Sequence, residues 1–201
     1  MTAPRPYAAV AGLLTAGALL AGCTSPAAVS DTSPSGALTR TLSEDERPKA
    51  PDLGGTTLDG RTVRLSDYRG KVVLVTAWAS WCGPCVAEAP ELEKVQRTWA
   101  HRGVRILGLN NDAEGGDGLA FQKRHRLGFP SLHDPRGRLG LRLPRGLVNT
   151  QALPYTIVVD PAGRVAASQI GAVTEADVAK AVTPLLGRPR PERSGAKASA
   201  G

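Results

Sequence analysis

Residues 72–85 read Val-Val-Leu-Val-Thr-Ala-Trp-Ala-Ser-Trp-Cys-Gly-Pro-Cys, and this stretch decides the fold. It opens with a nearly continuous apolar run, which is typical of a strand buried on both faces of a sheet. The Cys-Gly-Pro-Cys sequence then leads into residues 84–102, where Leu92, Val95 and Trp99 recur at helical spacing. The stretch therefore predicts a buried strand that leads into a helix, with two cysteines at the junction.

The two cysteines have the placement that thiol chemistry requires. Cys82 falls at the helix N-terminus, where unpaired N–H groups and the helix dipole favour a thiolate, the reactive form of cysteine. Pro84 suits the first turn because no helical hydrogen bond is lost there. Cys85 follows one turn later on the same face, so its sulfur can reach that of Cys82. The pair predicts a redox-active disulfide, with no metal, nucleotide or organic cofactor required.

Two other uses of the pair fit the sequence less well. A zinc site needs a second pair of ligands, and His101, His125 and His133 show no ligand spacing. A purely structural disulfide that closes so short a loop would constrain the unfolded chain little.

Strand and helix patterns alternate along the rest of the domain. Asp59-Gly60 lies between two short strand-like segments and predicts an N-terminal hairpin. The later predicted elements are a strand at 105–110, a helix at 119–125, strands at 155–159 and 165–170 around a turn at 160–163, and a helix with Thr174 as N-cap and Asp177 at its third position. This order predicts an α/β fold with a central mixed sheet flanked by helices.

The first 23 residues have the features of an export signal. Arg5 precedes a charge-free apolar stretch that is short for a transmembrane helix. The stretch ends in Leu20-Ala21-Gly22-Cys23, which resembles the bacterial lipobox, where the cysteine becomes the first mature residue and carries a lipid on its sulfur. We expect residues 1–22 to be a lipoprotein signal peptide and Cys23 to anchor the protein at the extracytoplasmic face of the cell membrane. The alternative is an ordinary signal peptide that leaves Cys23 free.

Composition divides the remaining chain. Residues 23–49 are rich in Ser, Thr, Pro, Asp and Glu and predict a flexible linker. Residues 50–187 are the predicted domain, and residues 188–201 a disordered basic tail. The formal net charge is +7, but aromatic residues make up only 4%, so the basic residues do not indicate a nucleic-acid surface.

From about residue 50 to residue 186 the chain resembles thioredoxin, and more closely the membrane-anchored thioredoxin-like reductases of the TlpA/ResA kind. The resemblance rests on an ordered series of motifs, which is more specific than a bare Cys-x-x-Cys. The series comprises Asp59-Gly60, residues 63–75, residues 78–85, Glu88, Pro90, and Leu153-Pro154 ahead of the strand at 155–160. The resemblance implies a thioredoxin-like three-layer fold.

The resemblance also implies further catalytic residues. Pro154 corresponds to the family's cis-proline, which lies opposite the cysteines, and the backbone of Leu153 would pair with a substrate strand. Glu88 corresponds to an acidic residue near the cysteines. Because it lies three residues after Cys85, it is placed to exchange protons with that thiol. An acidic residue in the first turns that merely suits the helix dipole is an equally open interpretation.

The residues that flank the cysteines complete the implied site. We expect Trp81, Gly83 and Pro84 to contact substrate together with Leu153. Thr76 departs from thioredoxin, which has a buried aspartate at this position. Since threonine cannot take up a proton at neutral pH, Glu88 is the better candidate for the acid/base role.

The resemblance implies a thiol:disulfide oxidoreductase that acts on protein thiols and disulfides. We expect a monomer that is re-reduced by a membrane thiol electron donor, because the compartment is oxidising. A common role in the family is to keep apocytochrome c thiols reduced before haem attachment, and Gly83-Pro84 is the thioredoxin pair, which favours the reductase direction.

Three other functions stay open. One is an oxidase that donates disulfides. Another is a thiol peroxidase of the AhpC/TSA-like type, although Ala79 stands where the peroxidatic motif usually has threonine. The third is a binding lipoprotein with a redundant disulfide.

Overall fold

The computed structural model describes residues 40–187. The predicted signal peptide, the lipobox with Cys23, most of the predicted linker and the basic tail lie outside the described residues. Within residues 40–187, no helix combines the length and the apolar character needed to cross a bilayer.

The chain order of strands and helices follows the predicted alternation. The strands are β1 (Arg40–Thr41), β2 (Gly54–Thr56), β3 (Thr62–Arg64), β4 (Val72–Trp78), β5 (Val104–Asn110), β6 (Ser131–His133), β7 (Tyr155–Val159) and β8 (Val165–Ile170). The α-helices are α1 (Gly83–Trp99), α2 (Gly115–Arg124) and α3 (Glu175–Val182). Short 3-10 helices lie at Glu44–Glu46, Leu65–Tyr68, Ala100–Arg102 and Gly140–Arg142.

Six strands form one mixed sheet in the order β1-β8-β7-β4-β5-β6, and β2 and β3 form a separate hairpin. The strands β4, β5 and β6 are parallel, whereas β7 is antiparallel to β4 and β8 is antiparallel to β7. All seven residues of β4 are buried, as the apolar sequence of this strand predicts. The predicted fold, a central mixed sheet flanked by helices with an N-terminal hairpin, is confirmed.

The two faces of the sheet bury different partners. One face packs against residues of all three α-helices, among them Leu92, Phe121 and Val178. The opposite face is covered by residues outside the α-helices, among them Leu53 and Leu143. Each such side chain contributes about 2 kcal/mol when it is removed from water. The central strand is therefore held from both sides, which fixes the point where it delivers the two cysteines.

Two helices differ from their predicted bounds by three residues or more. The first helix ends at Trp99 and continues to Arg102 as a 3-10 helix, and α2 begins at Gly115 rather than at residue 119. The early start was missed because Gly115 and Gly116 carry no side chain that could show a helical period. The strand β6 was not predicted, since three residues are too few to show alternation.

The N-terminal boundary of the domain also differs from the prediction. Residues 40–49 were assigned to the linker, but β1 pairs with β8, and Leu42 is buried and donates its backbone N–H to the carbonyl of Ala166. Lys49 forms a further antiparallel bridge with Arg164. A two-residue strand with one buried leucine has no periodicity to read, and its hydrogen bonds come from the edge of a strand more than a hundred residues away.

Candidate active site

Cys82 and Cys85 lie where β4 ends and α1 begins. They form a disulfide with a Cα–Cα distance of 5.2 Å. Cys82 is the N-cap of α1, and its Sγ accepts a hydrogen bond from the backbone N of Cys85 at 3.2 Å. A helix N–H is thus directed at the Cys82 sulfur, an arrangement that stabilises a thiolate once the disulfide is opened.

The surface beside the disulfide is apolar and open to solvent. Trp81 is 69% exposed and Val86 is 38% exposed, and the intervening Pro84 is also exposed. Cys82 retains 6% exposure and Cys85 only 2%. A partner that approaches this end of α1 therefore meets apolar side chains first and the Cys82 sulfur before the Cys85 sulfur. Exposed large apolar side chains grouped in this way are typical of an interaction surface.

The two tryptophans near the cysteines have different environments. Trp78 is 2% exposed, its ring lies 5.2 Å from that of Phe121, and its Nε1 donates to Ser131 Oγ at 3.3 Å. It is a core residue that fixes the end of β4. Trp81 has no such burial, so it alone of the pair is available to a substrate.

Pro154 lies beside the end of the central strand. Its peptide bond with Leu153 is cis, as the resemblance implies. The next residue, Tyr155, pairs with Ala77 of β4 on one side and with Ile170 of β8 on the other. The cis-proline therefore lies at the same end of the sheet as the cysteines. Ile170, which is 47% exposed, adds an apolar side chain at this end that sequence reasoning missed.

Glu88 is buried in the face of α1 that carries Cys85. It is 2% exposed, and its Oε1 accepts a hydrogen bond from the backbone N of Val173 at 2.8 Å. Within residues 40–187, its Oε2 has no hydrogen-bond partner. Burial raises the pKa of Glu88 to about 7, and the hydrogen bond from Val173 opposes that rise. Because residues three apart on a helix are neighbours, a carboxyl group that titrates near neutral pH stands next to Cys85.

Thr76 occupies the position where thioredoxin has an aspartate. It is fully buried and lies opposite Thr156 in the β4–β7 pair. Neither hydroxyl has a hydrogen-bond partner among the described residues. The pair of Thr76 and Thr156 therefore carries no group that titrates near neutral pH. Glu88 on α1 is left as the acid/base candidate.

Sequence reasoning missed Asp112. Its side chain is 1% exposed and accepts hydrogen bonds from Ser80, two residues before Cys82, and from Asn110. A signal was present in the sequence, since Asn110-Asn111-Asp112 is a polar run directly after a predicted buried strand. Carboxyl ends of neighbouring parallel strands meet at one edge of a sheet, which brings these residues to the edge where β4 ends.

The histidines do not form a ligand set. The ring of His125 stacks on Phe121 at 4.2 Å, and His133 Nε2 lies 3.0 Å from the backbone O of Asp112. In the part of the chain that the structure describes, no three His, Cys, Asp or Glu side chains are grouped to hold a metal ion.

Comparison with known proteins agrees with this geometry. The sequence model of the AhpC/TSA family matches residues 47–168. The thiol-disulfide oxidoreductase ResA of Geobacillus kaustophilus is 33% identical over 129 residues, which cover 64% of this chain and 71% of that protein. The thioredoxin-like protein YneN of Bacillus subtilis is 32% identical over 136 residues, which cover 66% of this chain and 76% of that protein.

Solved structures show the same likeness. A DsbF homologue from Corynebacterium diphtheriae superimposes with a TM-score of 0.69 at 31% identity, covering 77% of this chain and 97% of that one. A secreted thiol-disulfide isomerase from Corynebacterium glutamicum gives a TM-score of 0.67 at 31% identity, covering 78% of this chain and 96% of that one. With the cysteine pair at the head of α1, these matches show that the chain belongs to the AhpC/TSA family as a thiol-disulfide oxidoreductase of the ResA type.

Proposed function

We propose that the protein is an extracytoplasmic protein-disulfide reductase held at the membrane by a lipid on Cys23. The observation that carries the reductase proposal is that the two cysteines lie in different environments. Cys82 Sγ accepts a helix N–H at 3.2 Å, whereas Cys85 is 2% exposed and has the buried Glu88 one turn further along α1. One sulfur is therefore activated for attack, and the other is kept near a group that can take its proton.

The first step is attack on a substrate disulfide. The Cys82 thiolate forms a bond to one substrate sulfur, the substrate S–S bond breaks, and the second substrate sulfur leaves as a thiolate that takes up a proton. The apolar surface of Trp81, Pro84 and Val86 would receive the substrate chain, and the backbone of Leu153 would pair with it beside Pro154.

The second step resolves the mixed disulfide. Cys85 gives its proton to Glu88, and the resulting thiolate bonds to Cys82 Sγ. The bond between Cys82 and the first substrate sulfur breaks, and this sulfur leaves as a thiolate and is protonated. Two electrons have then passed from the cysteine pair to the substrate. A carboxyl group with a pKa of about 7 suits this transfer, since both of its forms are available at neutral pH.

The environment of Cys85 supports the reductase direction. Burial disfavours a thiolate, and a neighbouring carboxylate disfavours it further. The reduced pair therefore gains little stability from ionisation of Cys85, which favours its acting as an electron donor. The source of new electrons would be a membrane thiol donor. The family resemblance suggests that the substrates include the disulfide of oxidised apocytochrome c, whose thiols the reaction restores.

The reduction potential of the Cys82–Cys85 pair in glutathione and dithiothreitol buffers tests the direction. We expect a value near or below about −270 mV, the potential of thioredoxin. A value near about −120 mV, that of a strong disulfide donor, would make the protein an oxidase and overturn the proposal.

A peroxide-consumption assay separates this function from that of a thiol peroxidase. Ala79 is fully buried and offers no hydroxyl where the peroxidatic motif has one. We expect the reduced protein to consume hydrogen peroxide no faster than its Cys82→Ser variant. Peroxide turnover that depends on Cys82 would instead favour the peroxidase.

The membrane anchor is tested separately from the chemistry. Cells that express the full chain would be fed radiolabelled palmitate, and the membrane and medium fractions compared with those of a Cys23→Ala variant. We expect label on the unmutated protein and release of the variant into the medium. Equal partition of both proteins without label would overturn lipidation.

A further inference from the structure

The turn that carries the reactive cysteine is tied to the sheet by hydrogen bonds from Ser80. Between β4 and α1, Ala79 is buried and Trp81 is 69% exposed. Ser80, which lies between them, donates its backbone N–H to Asp112 Oδ1 at 3.0 Å and its hydroxyl to the same oxygen at 2.7 Å. Asp112 thus holds the middle of the turn through two donors of one residue.

Asp112 is itself rigidly placed. Asn110 Nδ2 donates to its Oδ2 at 2.7 Å, and its backbone O lies 3.0 Å from His133 Nε2. The backbone N of Asn111 also donates to the carbonyl of Trp78 at 2.9 Å. These bonds join the ends of β4, β5 and β6 into one network directly behind the cysteine turn. A side chain that is 1% exposed and engages several donors is anchored far more firmly than a surface residue.

The hydrogen bonds between Ser80 and Asp112 matter more for the position of Cys82 when the disulfide is reduced. In the disulfide form, the bond to Cys85 fixes the Cys82 sulfur. When that bond opens, the position of Cys82 depends on the turn that precedes it. Attack on a disulfide requires the sulfur to stay at the helix N-terminus, where N–H groups stabilise the thiolate. The Ser80–Asp112 hydrogen bonds tie this turn to the sheet, and within the turn the backbone N of Cys82 donates to the carbonyl of Ala79 at 3.2 Å.

We propose that Asp112 is a positioning residue that holds the reduced Cys82 at the head of α1 through Ser80. The proposal rests on the proposed function in taking Cys82 as the attacking sulfur. Asp112 acts through Ser80, not on the substrate, so its contribution lies in the geometry of attack.

The network itself suggests an informative variant. Asn110 Oδ1 is buried and has no hydrogen-bond partner among the described residues. In Asp112→Asn, the new amide oxygen can still accept from Ser80. The new amide nitrogen can donate to Asn110 if the amide of that residue turns over. Asp112→Asn therefore keeps the attachment, whereas Asp112→Ala removes it.

The experiment measures attack by Cys82 alone. The full chain with Cys23→Ala and Cys85→Ser, in which Cys82 is the only cysteine, is reduced. The rate constant for its reaction with hydroxyethyl disulfide is followed by release of mercaptoethanol. Each event forms a bond between Cys82 and one reagent sulfur and releases the other as a thiol. We expect Asp112→Ala to slow this reaction by about ten- to a hundredfold and Asp112→Asn to retain most of the rate. Ser80→Ala, which keeps the buried carboxyl, should fall between them and serves if Asp112→Ala does not fold.

Asp160→Ala is the matched control. Asp160 is 6% exposed and also holds a turn, because its Oδ1 accepts from the backbone N of Ala162 and Arg164 at 3.0 and 2.9 Å. It follows β7 at the end of the sheet away from the cysteines. We expect it to lower Tm without slowing Cys82.

Three results would overturn the proposal: an unchanged rate in Asp112→Ala, an equal loss in Asp112→Asn, or an equal loss in Asp160→Ala. The reaction of a small disulfide with Cys82 does not depend on the direction of electron flow. A reduction potential typical of an oxidase would therefore overturn the proposed function and leave the rates of these variants as support for the role of Asp112.

Discussion

In both α1 and α3 the side chain of the N-cap residue accepts a hydrogen bond from the backbone N of the third helical residue, but the two helix starts serve different purposes. At α3, Thr174 Oγ1 accepts from the backbone N of Asp177 at 3.2 Å, and Asp177 Oδ2 accepts from the backbone N of Thr174 at 3.1 Å. Glu175 adds a second acidic residue in the first turn. At α1, the capping atom is the sulfur of Cys82, and the first turn has no acidic residue.

The difference shows that a helix start that stabilises a thiolate must leave the positive end of its dipole without a neutralising acidic residue. A capping box satisfies the first N–H groups and neutralises the positive end of the helix dipole. The start of α3 therefore has its capping hydrogen bonds made and its dipole neutralised, and it contributes to the stability of the fold alone. The start of α1 keeps its positive end for a thiolate, and the first acidic residue along this helix, Glu88, is buried beyond the first turn instead of standing at the terminus.

Removing the sulfur of Cys82 should have the largest effect. Serine is a good N-cap, so Cys82→Ser should fold with the Tm of the reduced protein, yet lose insulin-disulfide reduction by at least about a thousandfold. The control is Cys85→Ser, which should accumulate the mixed disulfide that Cys82→Ser cannot form. If Cys82→Ser retained turnover, α1 would be a structural start like that of α3.

Glu88→Gln should change the pH dependence of stability. The folded-state pKa of Glu88 is about 7, above the ordinary value of 4.5, because its burial favours the protonated form. The contribution of Glu88 to stability is therefore fully present below about pH 4.5, and it falls by up to about 3 kcal/mol as the pH rises through 7. Glu88→Gln should lack this loss when the oxidised proteins are unfolded in urea at pH 5 and pH 8.

The control for that measurement lies on the same helix. Glu91 also accepts a backbone N–H from the start of α3, that of Glu175 at 2.8 Å, but it is not fully buried. Glu91→Gln should leave the difference between pH 5 and pH 8 as it is in the unmutated protein. An equal pH dependence in Glu88→Gln and the unmutated protein would contradict the assignment of the raised pKa to this carboxyl.

Giving α1 the acidic first turn that α3 has should slow the chemistry. A Cβ at Gly83 meets open space, so Gly83→Asp fits without a clash. The new carboxylate would stabilise the helix by about 0.5 kcal/mol. It would also disfavour the adjacent thiolate and slow the reaction of Cys82 with hydroxyethyl disulfide by about threefold. Gly83→Asn, which has the same shape without the charge, is the control. Equal rates in the two variants would show that charge at this terminus does not matter.

A feature could be predicted from the sequence when the residues that form it lie close together along the chain. The cap of α3 needs only Thr174 and Asp177, and the cysteine pair needs only one turn, so both were predicted. The cis bond before Pro154 followed from the family resemblance. The bond between Ser80 and Asp112 joins residues 32 apart, and the bond between Val173 and Glu88 joins residues 85 apart.

Bonds over such distances exist only after the sheet has formed, and no local pattern encodes them. The burial of Glu88, which gives this carboxyl its raised pKa, was therefore unavailable from the sequence. The strands β1 and β6 were missed for a related reason. They are two and three residues long, and their pairing comes from the neighbouring strands β8 and β5.

The smallest expected effect on activity is on the structural side of the comparison. Thr174→Ala removes the oxygen that accepts from the backbone N of Asp177, and it should lower the free energy of unfolding by about 1 kcal/mol. Thr174→Ser keeps that oxygen and should retain most of the stability in urea unfolding. Both variants should reduce insulin at the unmutated rate, because the start of α3 carries no chemistry. Val173, however, joins this helix start to Glu88. A fall in activity with Thr174→Ala alone would mean that the structural cap also positions the acid beside the cysteines, and the two helix starts would then work as one unit.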